Sequence, residues 1–290
     1  MCESGGTPAG EPGDSQHVRA PRCEPVADHG GTSPSDAASL TVSLVIPAYN
    51  EALRLPPYLA SIRHYFDMQY PAAYEVIVVD DGSADHLLET LTPICGEWPQ
   101  FVFLRHPRNQ GKGAAVRTGV RAARGDRILF ADADGATPIE EERRLSAALE
   151  AGADVAVGSR LAGDSQVVRR RFWSRAILGR VFAATARSLF CLPVRDTQCG
   201  FKMFRREAAA RLFALSHENG YLFDIEILAL AQQLDYRIAE VAINWAERPG
   251  SRLRLCRDAC GILAGLERVR RRLKRLRLDY DGKQPTESAR

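Results

Sequence analysis

Residues 128–137 read Ile-Leu-Phe-Ala-Asp-Ala-Asp-Gly-Ala-Thr, a short apolar run that ends in two alternate aspartates. Runs of this kind are typical of buried parallel strands, whose carboxyl ends face ligands. Working outward, we predict further strands at residues 42–46, 76–79, 102–104 and 155–157. Stretches with helical spacing separate the runs, at residues 52–66, 84–97, 113–123 and 138–150. The alternation predicts an α/β fold, an open and mostly parallel sheet flanked by helices.

The second half of the chain is less regular, and we interpret it as the completion of the same domain. Its pattern predicts strands at residues 201–204 and 238–243 and helices at residues 172–192, 207–215 and 225–234. Residues 1–40 are rich in Gly, Pro, Ser and acidic residues, which predicts a disordered tail. We therefore expect a tail at 1–40, one domain at 41–255, and a basic amphipathic helix with its own tail at 256–290.

Composition excludes some classes of protein. The 290 residues include 39 basic and 36 acidic side chains, so no global charge indicates a polyanionic partner. The seven cysteines form no CxxC pairs, which argues against a zinc site or a disulfide framework and favours a reducing compartment. No basic leader or run of about 20 apolar residues is present, so we expect any membrane chemistry to occur from the surface.

Asp132 and Asp134 are the strongest chemical signal. Alternate carboxylates at a strand end can share one hard cation, and Mg²⁺ or Mn²⁺ suits oxygen ligands and a diphosphate. The alternative is that these aspartates merely cap the following helix.

Three further loops are expected at the same edge. Asp80 and Asp81 follow the second strand and can accept hydrogen bonds from a base or ribose, although a simple Asp-Gly turn is the alternative. Tyr49 can lie against a base and Glu51 can bind ribose, or Glu51 can simply favour the helix dipole. Lys112 lies in Asn-Gln-Gly-Lys-Gly, which lacks the spacing of a P-loop but can bring a cation and backbone N–H groups to a nucleotide. The alternative is a simple flexible start of the helix.

With these residues in view, the chain resembles family 2 glycosyltransferases of the GT-A fold from about residue 41 to 255. Within that family it is most similar to the sugar transferases that act on polyprenyl phosphates, the dolichyl-phosphate glucosyl type among them. The resemblance rests on the ordered segments 45–51, 78–83, 109–113, 132–137 and 158–160, and downstream on 196–202, 223–226 and 244–245.

The resemblance implies a Rossmann-like nucleotide-binding half, an acceptor-side C-terminal half, and an inverting, metal-dependent transfer of a hexose. The implied contacts with the nucleotide sugar are Pro47, Tyr49, Glu51, Asp80, Asp81, Lys112, Asp132 and Ala133. Asp132 and Asp134 would hold the metal, and Asp134 and Arg160 would be catalytic, with Arg160 meeting phosphate.

One position departs from the mannosyl relatives. They often carry Gln two residues beyond the second aspartate, where this chain has Ala136, so Thr137 or water would take its place. The difference favours a glucosyl transferase using UDP-glucose over a mannosyl transferase using GDP-mannose.

The implied acceptor is a lipid phosphomonoester, which is already anionic near neutral pH and needs no strong general base. Lys202, Arg248 and Arg252 are the expected contacts of the acceptor phosphate. A sugar hydroxyl as acceptor would require a carboxylate base. Glu226 is a candidate for that base, although an ordinary helix carboxylate is the favoured interpretation.

Two segments suit a membrane surface. Three arginines and two aromatic residues at 169–173 lead into an apolar helix, and residues 252–277 contain ten basic against two acidic side chains. The alternative for the second segment is a helix that packs on the domain with a solvated basic face. We expect a peripheral enzyme at the cytoplasmic face of a membrane, with no nucleic-acid partner.

Three alternatives remain. A family 2 transferase that acts on a glycan hydroxyl would be expected to carry a Gln-x-x-Arg-Trp motif, which this chain does not contain. A nucleotidyltransferase would show a Gly-rich loop after the first strand, where this chain has residues 47–51. A basic scaffold that binds membrane or nucleic acid would leave the acidic loops unexplained.

Overall fold

The apolar runs form a seven-stranded sheet in the computed structural model, which describes residues 40–163, 184–246 and 259–281, and the backbone of 167–168. The strands of this sheet are β1 Val42–Ala48, β2 Tyr74–Asp80, β3 Phe101–Arg105, β4 Arg127–Ala131, β5 Val155–Ser159, β7 Phe201–Arg205 and β8 Ile238–Ala242. A short second ladder pairs β6 Val167–Val168 with β9 Trp245–Ala246.

The spatial order of the large sheet is β3-β2-β1-β4-β7-β5-β8. All its pairings are parallel except those of β7, which runs antiparallel to β4 and to β5. The predicted mostly parallel sheet is therefore confirmed. Because β1, β2, β4 and β5 run the same way, the loops that follow them meet at one edge of the sheet.

Helices cover both faces of the sheet. They are α1 Leu55–Gln69, α2 Leu87–Glu97, α3 Lys112–Ala122, α4 Glu142–Glu150, α5 at residues 184–190, α6 Arg206–Leu215, α7 Phe223–Gln233 and α8 Ala259–Asp281. One apolar cluster joins the sheet to α1, α2 and α4, and a second joins it to α3, α6, α7 and α8. Each fully buried large apolar side chain stabilises these layers by about 1.5–3 kcal/mol.

Some predicted helix starts are wrong by a few residues. α1 begins at Leu55 rather than residue 52, because Pro56 and Pro57 occupy its first turn, where proline suits a helix start. A 3₁₀ turn, Ile139–Glu141, follows Pro138, so α4 starts only at Glu142. Residues 1–39 of the predicted tail at 1–40 and the first part of the predicted helix at 172–192 lie outside the described residues.

The C-terminal basic helix is present as α8. Leu266, Val269 and Leu273 are buried and belong to the same cluster as the core of α7. Within the described part of the chain, no helix is both long enough and apolar enough to cross a bilayer.

Candidate active site

The two aspartates lie where β4 ends. The Asp132 backbone N–H donates to the Gly200 carbonyl (2.9 Å), and the Asp134 carboxylate accepts the Ala136 N–H (3.0 Å). A Cβ at Gly200 would lie 2.0 Å from an oxygen of the Asp132 carboxylate. Gly200, on the neighbouring segment before β7, therefore provides the space that this carboxylate occupies.

Lys112 is the first residue of α3 and reaches the same carboxylate. Its Nζ lies 2.7 Å from Asp132 Oδ1 and over the rings of Phe130 and Phe223. Burial alone would lower the pKa of Lys112, but the carboxylates of Asp132 and Asp224 raise it above its usual range. Lys112 is thus a fixed positive charge at the aspartates, in keeping with its predicted place in the nucleotide-sugar site.

Asp81 has a positioning role that the amino-acid sequence did not indicate. Its buried carboxylate accepts the N–H groups of Gln110 (2.9 Å) and Gly111 (2.8 Å) and contacts His106 Nδ1 (2.8 Å). Both oxygens are engaged by the loop that leads into α3. In this structure Asp81 therefore fixes the position of Lys112.

Gly111 is required at that loop. Its φ is +104°, a conformation that favours glycine, and an added Cβ would lie 2.3 Å from the Asn219 carbonyl oxygen. The same carbonyl accepts the Gly113 N–H (2.7 Å) and so caps α3. The start of α3 is held from the β2 side by Asp81 and from the α7 side by Asn219.

Asp80 is fully buried. One carboxylate oxygen accepts the Ser83 N–H (2.8 Å), and the other lies 3.1 Å from Arg105 Nε. These contacts hold the turn after β2. Pro47 is buried within β1 opposite Val79, so it shapes the strand end that precedes Tyr49. The side chain of Tyr49 is exposed, as contact with a base would require.

Glu51 is paired with Arg54, a residue that the sequence analysis missed. Arg54 Nε donates to the Glu51 carboxylate (2.7 Å), and its NH2 group makes a second contact. Burial lowers the pKa of Arg54, but Glu51, followed by Asp134 and Asp132, raises it overall. Arg54 thus adds positive charge beside the aspartates. Its position three residues after Glu51, in a loop already singled out, was the available signal.

The electrostatics of the aspartates fit a divalent cation. Burial raises the pKa of the Asp134 carboxyl, and the nearby Asp132 carboxylate raises it further. An excess of negative charge at two hard oxygen ligands suits Mg²⁺ or Mn²⁺. Among the described residues there is no cluster of three or more acidic, His or Cys side chains that could hold a metal. Two carboxylates at a strand end suit a metal that keeps water and substrate phosphate as further ligands. Ala136 supplies backbone contacts only.

Arg160 lies just beyond β5 and forms a forked pair with Asp196. Its Nε and NH2 groups donate to the Asp196 carboxylate at 2.7 Å and 2.8 Å, and its guanidinium lies over the ring of Trp245. Burial alone would lower the pKa of Arg160 and raise that of Asp196. Their pairing outweighs burial, so the pKa of Arg160 is raised and that of Asp196 is lowered. Asp132 also contributes to the raised pKa of Arg160, so the two groups interact electrostatically.

Lys202 does not lie where an acceptor phosphate could reach it. Its side chain is 1% exposed, and its ammonium donates to Asp224 and to the Cys199 carbonyl. The physical reason is its place in the central strand β7, under α7. Arg248 and Arg252, the other predicted acceptor contacts, lie outside the described residues.

Glu226 is also buried and engaged. Its carboxylate accepts the Ser216 hydroxyl (2.9 Å), the N–H groups of His217 (3.0 Å) and Glu218 (2.7 Å), and a bond from Arg272 (2.7 Å). The favoured interpretation of Glu226 as a structural carboxylate agrees with these contacts.

The chain has a mixed sheet with paired aspartates, a lysine and two arginines at its carboxyl edge, and solved glycosyltransferases of the GT-A class share this fold. The chain aligns with mannosyl-3-phosphoglycerate synthase from Rubrobacter xylanophilus over 86% of its length and 77% of that chain, with a TM-score of 0.57 and 21% identity. Glucosyl-3-phosphoglycerate synthase from Mycobacterium tuberculosis in complex with UDP aligns over 86% and 83%, with a TM-score of 0.55 and 22% identity.

Sequence comparison identifies the protein family. The profile of Glycosyl transferase family 2 matches residues 43–213. A dolichyl-phosphate beta-glucosyltransferase from Mus musculus is 39% identical over 230 residues, which cover 75% of this chain and 71% of that protein. The protein of the same name from Saccharomyces cerevisiae is 34% identical over 252 residues, covering 81% and 75%. The chain belongs to glycosyl transferase family 2.

Proposed function

We propose that this protein transfers glucose from UDP-glucose to a polyprenyl phosphate of the dolichyl type. The observation that carries the proposal is the identity of 32–39% with proteins named dolichyl-phosphate beta-glucosyltransferase, over most of the chain. Ala136 supports the glucosyl assignment, because the position at which mannosyl relatives often carry a metal-binding Gln here has no side-chain ligand. A GDP-mannose donor is the competing outcome for the experiment below.

Asp132 and Asp134 would hold Mg²⁺ or Mn²⁺. Support comes from the raised pKa of Asp134, whose negative charge is only partly balanced by Lys112 and Arg54, and from structures of similar fold, which are described as complexes with Mg²⁺ or Mn²⁺ and UDP. When bound, the metal supplies positive charge that offsets the charge of the departing diphosphate.

The protein's own cations complete this electrostatic environment. Lys112 is held at Asp132 by the Asp81 loop, and Arg54 lies on the other side of the aspartates. Charges that are fixed before the reaction stabilise developing negative charge without reorganising. These residues would bind and orient the diphosphate, with Tyr49 available to lie against the base.

Arg160 is the described residue best placed to meet phosphate on the acceptor side. Asp196 holds its guanidinium by the forked pair, and Trp245 lies against one face. We keep Arg248 and Arg252 as proposed acceptor contacts and remove Lys202 because of its burial.

The acceptor would arrive as an anion and need no general base. Two buried carboxylates of α7, Asp224 and Glu226, are held by Lys202 and by Arg272. Because both carboxylates are engaged in buried ion pairs, neither is free to act as a general base, and transfer to a phosphate suits this site better than transfer to a hydroxyl. The reaction would take place at a membrane surface, for which we propose the cytoplasmic face.

The test is transfer of radiolabelled sugar to a short polyprenyl phosphate, with UDP-glucose and GDP-mannose in parallel, and with and without Mg²⁺ or Mn²⁺. We expect metal-dependent, organic-soluble label from UDP-glucose only. Label from GDP-mannose alone would overturn the glucosyl assignment. Metal-dependent binding of nucleotide without a lipid product from either donor would move the acceptor to a hydroxyl.

A further inference from the structure

α8 presents two different faces. Leu266, Val269 and Leu273 are buried against the core, and Gly265 lies so close to Leu222 that a Cβ would meet it at 2.3 Å. Arg272 also points inward, to the Glu226 carboxylate (2.7 Å). The apolar stripe of the helix is therefore used in packing on the domain and cannot be inserted into lipid without unfolding that contact.

The opposite face is strongly basic. Residues 264–276 contain six basic side chains and one acidic side chain, Glu267. The exposed basic residues are Arg268, Arg270, Arg271, Lys274 and Arg275, which we call the outer basic face. At the helical angle of about 100° per residue, these positions project away from the buried stripe.

Much of this charge is not neutralised by the protein. Arg270 and Arg271 share the single carboxylate of Glu267, at 4.0 Å and 2.9 Å. Within the described residues, Arg268, Lys274 and Arg275 form no close ion pair, although Lys274 lies within electrostatic reach of Glu267. Exposed ion pairs of this kind contribute little to stability, so packing on the domain does not explain the charge.

The outer basic face starts beside the active edge of the sheet. α8 runs in the same direction as α7, since Gly265 lies at Leu222, Arg272 bonds to Glu226, and Gln233 donates to the Leu273 carbonyl. The first residue of α7, Phe223, lies against Lys112 in the candidate active site. A membrane or other surface that docks along α8 would therefore lie beside the candidate active site.

We propose that the outer basic face of α8 binds the anionic headgroups of a membrane. The choice of a membrane as partner rests on the proposed lipid acceptor, and the charge of the face is complementary to anionic lipid. Clusters of Lys and Arg are attracted to such a surface, and the attraction falls with salt over a short distance. Docking is thus electrostatic and reversible, without insertion of the helix.

The test compares two double variants with the same change in net charge. Lys274→Glu with Arg275→Glu reverses two charges of the face. Arg143→Glu with Arg211→Glu reverses two exposed charges on α4 and α6. Binding is measured by co-sedimentation with phosphatidylcholine vesicles that contain or lack phosphatidylserine. We expect wild type and the α4–α6 variant to bind only the anionic vesicles, and the α8 variant to bind at least about tenfold more weakly.

Two further measurements separate the outcomes. Transfer to a short polyprenyl phosphate free in solution should be unchanged in the α8 variant, whereas transfer to a long one in anionic vesicles should fall. If wild type transfers sugar to neither acceptor, the proposed function fails while the vesicle result still decides the docking surface. Equal vesicle binding by both variants would overturn the docking proposal. The proposal would also be overturned if wild type bound duplex DNA but not vesicles, and if only the α8 variant lost that DNA binding.

Discussion

At the scale of single residues, the two aspartates that look equivalent in the sequence have different surroundings. Asp132 has a direct cationic partner, since Lys112 lies 2.7 Å from its carboxylate. Asp134 accepts a backbone N–H from Ala136, and its pKa is raised by burial and by Asp132. Asp134 therefore carries negative charge that a bound metal would relieve.

Replacing Asp134 by Asn should stabilise the metal-free protein near neutral pH. The pKa of Asp134 is higher in the folded than in the unfolded protein, so the folded state favours the protonated carboxyl. The stability that protonation contributes is lost as the pH rises through the folded-state pKa. Asn resembles the protonated form and keeps an acceptor for the Ala136 N–H. We expect thermal unfolding in a metal chelator to show a higher melting temperature for the variant near neutral pH, with a smaller difference in mild acid.

The same variant should lose metal-dependent transfer by about 100-fold or more, because one of two metal ligands is gone. Glu97→Gln, which also converts an exposed carboxylate to an amide, is the control and should change neither quantity appreciably. A metal-free Asp134→Asn protein that is less stable than wild type near neutral pH would contradict the inference that the charge of this carboxylate destabilises the metal-free fold.

Gly200→Ala should impair the site while leaving the fold intact. The added Cβ would lie 2.0 Å from the half-exposed Asp132 carboxylate, which can move, so the carboxylate should be displaced from its place. We expect metal-dependent binding of UDP, measured by calorimetry, to weaken about tenfold or more, since a misplaced ligand group costs that much. Gly163→Ala is the control, because a Cβ there meets nothing within 4 Å. Equal binding by both variants would show that the carboxylate tolerates the displacement.

At the scale of elements, the sequence predicted the strands well because their apolar runs are continuous and end in polar loops. The place of Asp132 and Asp134 at the sheet edge could be predicted from the strand before them. The antiparallel insertion of β7 between β4 and β5 could not be predicted, since local periodicity carries no information on pairing partners. That same insertion buries Lys202, which explains why its predicted contact with an acceptor phosphate fails.

Positioning residues were harder to predict than ligands. Asp81 contacts Gln110 and Gly111, which lie 29 and 30 residues further along the chain. Only the folded backbone shows that a carboxylate after β2 meets the start of α3. Arg54 and Asp196 were missed for a similar reason, because each acts through a partner whose position depends on tertiary structure.

Glu226 joins α7, α8 and the loop that caps α3, so its neutralisation should loosen all three. Gln retains one carbonyl oxygen and turns the other acceptor into a donor, which then faces either Arg272 or the N–H groups of the 216–218 loop. We expect Glu226→Gln to lower the free energy of unfolding by about 1–3 kcal/mol, measured in urea. Glu207→Gln, an exposed glutamate in the first turn of α6, should stay within about 0.5 kcal/mol of wild type. Indistinguishable stability of the two variants would show that Glu226 does not hold these elements together.

At the scale of the whole molecule, the candidate site is assembled from both helix layers. Arg54 immediately precedes α1 on one face of the sheet, whereas Lys112 begins α3 on the other. Arg160 follows β5, and Asp196 joins it from the segment before β7. A ligand that contacts all of these groups would bridge the two layers at their common edge. Its binding should therefore stabilise the entire fold rather than one loop.

Metal and nucleotide sugar should raise the melting temperature only when added together. The two aspartates supply too few ligands to hold a metal tightly, and the diphosphate alone would meet their negative charge. With both present at about 100 times the dissociation constant, binding stabilises the folded state by about 2.7 kcal/mol. For a domain of this size that corresponds to a rise of roughly 5–10 °C. Thermal unfolding with Mn²⁺, UDP-glucose, GDP-mannose and each metal–sugar pair measures the effect, and Asp134→Asn serves as the control that should not respond. A full rise with metal alone would indicate a site that the protein completes without substrate, and no rise with either pair would contradict the nucleotide-sugar site itself.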